Sequence, residues 1–554
     1  MSESLKGIGI GSKVAAGTTI VVRPAAGVDP NEPASTEADS PRVKQALKAV
    51  ADSLTEQSAL ADDDAAGILL VGAQLAGDRS LAKKIDKKLA AGEGVTHAVH
   101  NAVDEFAQGL SALGGYMAER VTDLYDIRDR AIARLRGLPE PGIHLSKPAI
   151  LVAEDLSPAQ TATLDKSLVL GIVTAAGGPT SHTAILCSQR NIPAVVRAKG
   201  LDIDSFEDGT ELVIDASTGT VHFDLPKDEL NALQERAKKR EDLLAGSSGP
   251  GATADGCHIQ LLSNVASPDE AESEGVEGCG LFRTEFLYLD KESAPTFEEQ
   301  VASYKTVLQE FSGKKVVVRT LDAGADKPLK FASQEVEENP ALGKRGLRLS
   351  QAKSELLDTQ LKALVAASEE SDAELWVMAP MVSTEDEAIW FAERARAAGI
   401  EHVGIMVEVP AAAIRSANLL NHVDFASIGT NDLTQYTMAA DRMQGDLGDL
   451  LDAWQPAVLD MIALCCEGAD DAQAHVGVCG ESASDPLMAL VLAGLGVKSL
   501  SMAPARVPAV REVLKMHSIK QCQELARLAR SAKSAQAAKQ AVLQYADPRV
   551  KDIL

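Results

Sequence analysis

One histidine in this sequence sits where a nucleophile would need to sit. In GIVTAAGGPTSHTAILCSQRNIPAVV an apolar strand runs into Gly177-Gly178-Pro179, and Thr180 and Ser181 are placed to cap a helix that begins near His182. Asn191 and Pro193 end that helix. Free backbone N–H groups at a helix start favour a phosphate. A neutral imidazole is a fair nucleophile and forms a labile phosphoramidate. A lone histidine would more often merely cap a turn. The glycines, the hydroxyls and the helix start together favour the chemical reading.

A second set of residues follows short apolar runs in the C-terminal half. Arg283 ends GLFR, Arg319 ends VVVR, Glu408 follows GIMV, Asn431 and Asp432 follow SIGT, and Cys479 ends VGVC with Glu481 close behind. Arg442 comes soon after Asp432. Arginines grip phosphate and carboxylate with paired donors. A glutamate and an aspartate supply hard oxygen ligands for Mg²⁺, and a thiol can donate a proton. A charged residue at any one strand end is ordinary. Complementary chemistry at five of them points to a small, multiply anionic ligand with a metal.

The elements that must carry these groups are legible as rhythm. Apolar runs at His258–Leu262, Gly278–Phe282, Lys315–Val318, Leu375–Ala379, Val403–Val407, Phe425–Ile428, His475–Val478 and Lys498–Met502 alternate with helical stretches. Eight such units predict a (β/α)8 barrel over 257–554, whose active site lies at the carboxyl ends of the strands. Upstream, residues 1–24 and 145–225 read as one α/β domain. GIGIG lacks the glycine spacing of a dinucleotide site and reads as turns beside a strand. Residues 25–144, with apolar positions such as Val99, Ala102, Val103, Phe106 and Leu110, read as an inserted helical bundle. Residues 226–256 read as a charged linker helix followed by a flexible hinge, GSSGPGATADG.

The balance of 80 acidic against 54 basic residues, a net charge of −26, disfavours nucleic acid and anionic membranes as partners. No run of apolar residues is long enough to span a bilayer, and Met1–Gly11 does not read as an export signal. The seven cysteines form no CxxC pair, which suits reduced thiols in the cytoplasm.

The motifs GGPTSHTAI, GLFRTEFLY, RTLDAGADK, ENPALGKRGLR, GIMVEVPAA, SIGTNDLTQYTMAADR and VCGESASDP resemble those of the phosphoenolpyruvate-utilising enzymes. In domain order and length the chain is most similar to the phosphoenolpyruvate–protein phosphotransferases, enzyme I of the sugar phosphotransferase system. The resemblance implies a phosphohistidine swivelling domain with an inserted helical bundle, followed by a TIM-type barrel. It implies that His182 is phosphorylated from phosphoenolpyruvate through Nε2, that Arg283, Arg319, Asn431, Asp432 and Arg442 bind that substrate, and that Glu408 and Asp432 hold Mg²⁺. Cys479 would protonate the enolate to give pyruvate, with Thr180, Arg345 and Lys327 in support. The small carrier HPr would dock on the 25–144 bundle, and the barrel would form a homodimer. Tyr125, in DLYDIRD, stands where members of the family often carry arginine. Two other readings compete. An ATP-dependent dikinase or synthase would need a nucleotide-binding domain, and no GxxxxGK[ST] run is present. A non-catalytic phosphoenolpyruvate-binding regulator would be expected to have lost some of the reactive residues.

Overall fold

The computed structural model describes residues 4–554 except 12, 23–26, 59–62, 114–120, 139–142, 144, 146, 157–159, 161–163, 165, 166, 178–181, 190, 191, 224, 290, 292, 325–328, 330, 332–336 and 443–446. The side chains of 37, 57, 63–68, 110–113, 122, 182, 185, 188, 189 and 204 also fall outside the description. Two compact units emerge, 1–238 and 239–554.

In the first unit a closed sheet runs in the order β1-β5-β4-β3-β2-β6-β7. Its strands are β1 (Ser4–Ile10), β2 (Val14–Val22), β3 (Ala149–Ala153), β4 (Val169–Thr174), β5 (Ala194–Lys199), β6 (Glu211–Asp215) and β7 (Thr220–Phe223). The central β2-β3-β4-β5 pairings are parallel, and the rest are antiparallel. β3 is buried along its whole length, as its unbroken AILVA run requires. Two details correct the reading from sequence. Of the GIGIG glycines, Gly7 and Gly9 lie inside β1, and Gly11 alone, with φ +91°, sits in the bend after it. A Cβ on Gly9 would lie 1.9 Å from the Ala216 carbonyl oxygen, so close backbone approach explains the residue. β7 was not foreseen, because TVHF is too short to stand out from its flanks.

Helices at Ser40–Ser58, Asp63–Ala76, Arg79–Ala90, Val95–Leu113 and Val121–Arg136 form the inserted bundle between β2 and β3. Asp78 caps the third by accepting from the N–H groups of Ser80 and Leu81 at 2.7 and 2.9 Å. Leu81, Ile85, Val99, Val103, Leu124 and Ile127 meet in its core, the outcome of three- and four-residue apolar spacing.

The second unit is a closed barrel of parallel strands in chain order. They are β8 (Gln260–Val265), β9 (Gly278–Arg283), β10 (Lys315–Arg319), β11 (Glu374–Ala379), β12 (His402–Val407), β13 (Phe425–Gly429), β14 (His475–Cys479) and β15 (Ser499–Met502). Period-two alternation sorts each strand. Val316, Val318, Val377, Ile405 and Val478 pack outward with the surrounding helices. Val317, Met378, Met406, Phe425 and Cys479 fill the interior. This interior is a packed core, so the chemistry is left to the strand ends.

The GSSGPGATADG segment departs from the flexible hinge its composition suggested. Ser247 Oγ donates to Glu512 Oε1 at 2.7 Å and accepts from Arg511 Nη1 at 3.3 Å. Gly251 N donates to Glu277 Oε2 at 2.9 Å, and Ala254 N donates to the His517 carbonyl at 2.8 Å. Fixed partners on the barrel override the freedom of a small-residue chain. Among the described residues no helix is long and apolar enough to cross a membrane, and all seven cysteines are free.

Candidate active site

The described part of the histidine segment is held from both sides. β4 leads to Gly177, whose φ of +89° suits only glycine. Ala176 N donates to the Glu154 carbonyl at 2.8 Å, and Arg197 Nε donates to the Gly177 carbonyl at 2.9 Å. Arg197 itself has a φ of +52°, backbone strain beside this turn. The helix that follows spans His182–Gln189, with His182 its first residue, and buried Thr183 faces the Asp155 carboxylate and the Leu156 carbonyl. Thr180 lies outside the described residues, as does the His182 side chain.

In the barrel the strand ends bring the expected groups onto one rim. Arg283 closes β9, Arg319 closes β10, Glu408 follows β12, Asn431 and Asp432 open the Thr430–Met438 helix after β13, and Cys479 closes β14. Strand pairing sets Gly429 beside Cys479 and Arg319 beside Arg283. A Cβ on Gly429 would come within 3.0 Å of Glu408 Oε2, so the missing side chain leaves the space that carboxylate uses.

The charges are buried and tightly paired. Arg319 Nη2 donates to Glu285 Oε1 at 2.9 Å, and Arg319 Nη1 lies 3.1 Å from Asp322 Oδ2. Arg345 donates to both oxygens of Asp322, from Nε at 3.2 Å and Nη2 at 3.1 Å, and also to both oxygens of Asp432. Arg442 stands at the edge, with Nη1 3.8 Å from Asp432 Oδ1. Glu408 accepts from Met381 N at 2.6 Å, and Met381 presents that N–H from a strained φ of +59°. Arg283 is exposed. Lys327 lies outside the described residues.

Burial and charge set the protonation states. Burial opposes charge on Arg319 and Arg345, but their carboxylate neighbours hold both well above the ordinary arginine range. Burial pushes Glu408 up to about 8, and Asp322 and Asp432 add to this against the pull of Arg319 and Arg345. Burial likewise raises the Cys479 thiol, although Ser427 Oγ donates to Cys479 Sγ at 3.2 Å and Arg319 lies near. The thiol therefore carries its proton at neutral pH, as an acid should.

Among the described residues, four acids, Glu285, Asp322, Glu408 and Asp432, are buried at this rim beside two guanidiniums, those of Arg319 and Arg345. That imbalance suits a divalent cation. No cluster of three or more metal-binding side chains occurs among the described residues. The donor set still fits Mg²⁺, which commonly takes one or two carboxylates and fills its shell from phosphate and water. Arg319 Nε and Thr430 Oγ1 are buried without partners among the described residues, polar atoms still able to meet a ligand.

Glu285, Asp322 and Ser427 were missed in the reading from sequence. The acids sit in GLFRTE and RTLD, just after strand ends, where they look like solvated caps until burial is known. Ser427 sits inside a strand and carries no local signal.

Comparisons with known proteins agree along the chain. Residues 243–519 match the family described as PEP-utilising enzyme, PEP-binding domain, residues 145–219 the PEP-utilising enzyme mobile domain, and residues 6–120 the PEP-utilising enzyme N-terminal domain. A Streptomyces coelicolor protein named phosphoenolpyruvate-protein phosphotransferase is 44% identical over 537 residues, covering 95% of this chain and 96% of the relative. Proteins of the same name from Haloferax volcanii, 38% identical over 84% of each chain, and Bacillus subtilis, 39% identical over 72% of this chain and 74% of its own, are also similar.

Proposed function

Because this chain belongs to the phosphoenolpyruvate–protein phosphotransferases of the phosphoenolpyruvate-utilising family, we propose that its barrel rim binds phosphoenolpyruvate and sends the phosphoryl group to His182. From there it passes to HPr, the carrier of the sugar phosphotransferase system. The observation that carries the residue assignment is the union, on one rim, of arginines, paired acids and a buried protonated thiol.

Arg283, Arg319 and Arg442 bind the phosphate and carboxylate of the substrate, and Asn431 assists. Glu408 and Asp432 are the ligands for Mg²⁺, which when bound neutralises phosphate charge. The P–O bond of phosphoenolpyruvate breaks as a P–N bond forms at His182 Nε2. Cys479 gives its proton to C3 of the enolate, and pyruvate results. The protein's work is positioning and charge neutralisation. His182 belongs to one compact unit and the rim to the other, so the two must approach and part in each cycle.

The helical bundle at 25–144 is the docking surface for HPr, with the first α/β domain formed by 1–24 and 145–225. The barrel at 257–554 serves as the dimerisation domain, and the enzyme works in the cytoplasm. An ATP-dependent relative and a non-catalytic regulator fit less well, because a relative matched over 95% of this chain is named a phosphoenolpyruvate-protein phosphotransferase, and arginines, acids and a thiol all stand at the rim.

Incubation with ³²P-labelled phosphoenolpyruvate and Mg²⁺ is expected to place an acid-labile label on His182. His182→Ala is expected to abolish labelling while phosphoenolpyruvate still binds. Label on another residue, or loss of binding in that variant, would count against this division of labour.

A further inference from the structure

Cys479 is 3% exposed and lies beneath the rim, so a thiolate left there has little direct access to solvent. Its hydrogen-bonding neighbours are Ser427, whose Oγ donates to Sγ at 3.2 Å, and the Ile428 carbonyl, 3.7 Å from Sγ. Ser427 is 6% exposed and lies one level deeper in the barrel, where pairing sets it beside Met406 and Gly477.

Below Ser427 a few polar side chains enter the otherwise apolar interior. A cavity of about 10 Å³ is lined by Ser427, Gly477, Ser499, His475, Lys315 and Trp376, among others. That is room for about one water. Trp376 Nε1 is buried with no partner among the described residues, and a water there would satisfy it. His475 Nε2 lies 3.1 Å from Ser499 Oγ. Lys315, 8% exposed, places Nζ 4.7 Å from the centre of the Trp376 ring. Burial lowers Lys315 to about 8, against the pull of Glu374 and Glu277. Burial also lowers His475 to about 4, and Lys315, Lys498 and His258 add to this. The floor thus holds a neutral imidazole and an ammonium able to release a proton.

We propose that Ser427 relays a proton to Cys479 from a water in the barrel interior, recharging the thiol after each turnover from the floor of the barrel. The inference rests on Cys479 being the acid. Cys479 Sγ–H gives its proton to C3 of the enolate, and the thiolate takes the Ser427 hydroxyl proton. Ser427 Oγ takes one from the cavity water, the water takes one from the Lys315 ammonium, and Lys315 is recharged by solvent. One proton moves inward, and nothing is oxidised or reduced.

The test compares the first turnover with steady-state turnover, using the full chain, phosphoenolpyruvate, Mg²⁺ and a phosphotransferase-system carrier protein as acceptor. Ser427→Ala is expected to leave the first burst of pyruvate within about threefold of wild type and to slow the steady state about tenfold or more. Ser427→Thr, which keeps the hydroxyl, is expected to restore the steady state. Ser427→Gly removes the same hydroxyl and serves if the alanine variant does not fold. Equal slowing of both phases would make Ser427 a packing partner of the thiol, and no slowing of either would make it irrelevant; each overturns the relay. Cys479→Ala is expected to slow the first turnover itself. If it does not, the acid assignment fails, and the relay fails with it.

Discussion

Arg345 holds Asp432 through two parallel hydrogen bonds, Nη1 to Oδ1 at 3.1 Å and Nη2 to Oδ2 at 3.0 Å. The same guanidinium holds Asp322. A residue at 1% exposure therefore ties the loop after β10 to the helix after β13, and it keeps a proposed metal ligand in place before any metal arrives. Arg345→Met would remove the bidentate partner of Asp432 and one of the guanidiniums that hold Asp322. The expected loss is about 3–5 kcal/mol of barrel stability, read as a lower thermal midpoint together with weakened Mg²⁺ binding. An unchanged midpoint would contradict the pairing.

Arg283 and Arg319 should respond differently to truncation although both end barrel strands. Arg283 is exposed, whereas Arg319 is bound to Glu285 and Asp322. Arg283→Ala is expected to lower kcat/KM by about 10²–10³ with little change in thermal midpoint. Arg319→Ala is expected to lower both, because it takes from buried Glu285 its guanidinium partner and from Asp322 one of its two. Parallel behaviour of the two variants in stability assays would argue against this distinction.

His475 should make the barrel sensitive to mild acid. Its folded value lies near 4, because burial disfavours the charged ring, against an ordinary 6.5. Below about pH 6.5 the unfolded chain takes up a proton that the folded barrel refuses. The contribution is therefore whole above pH 6.5 and is lost as pH falls toward 4, to a total of about 3 kcal/mol. Wild type should lose more thermal stability between pH 7 and 4.5 than His475→Gln does. Identical losses would show that the ring titrates freely.

The pinned segment after the linker helix makes a claim about exchange. Gly251 donates to Glu277, Ala254 to the His517 carbonyl and Ile259 to the Gly251 carbonyl. Hydrogen–deuterium exchange should find these three amides protected well beyond those of an unstructured glycine-rich hinge. Fast exchange at all three would restore the flexible hinge to this segment. Protection would move it upstream, toward the Lys227–Ala245 helix.

The helix start at His182 and the residues ending the barrel strands were legible early, because both signals are local. A glycine turn before a helix start, and a short β-branched run that stops at a charged residue, each need only a few neighbours in the chain. The number of barrel strands and their order were legible for the same reason, since each βα unit repeats one local pattern. The electrostatics of the rim were not. Arg345 lies 23 residues from Asp322 and 87 from Asp432, and no pattern along the chain marks them as partners. Composition misjudged GSSGPGATADG because flexibility belongs to an isolated chain, while Glu277, Arg511 and Glu512 exist as anchors only once the barrel has closed. The protonation of Glu408 and Cys479 follows the same logic. Residue type sets where a group starts, and desolvation, which exists only in the folded interior, sets where it ends.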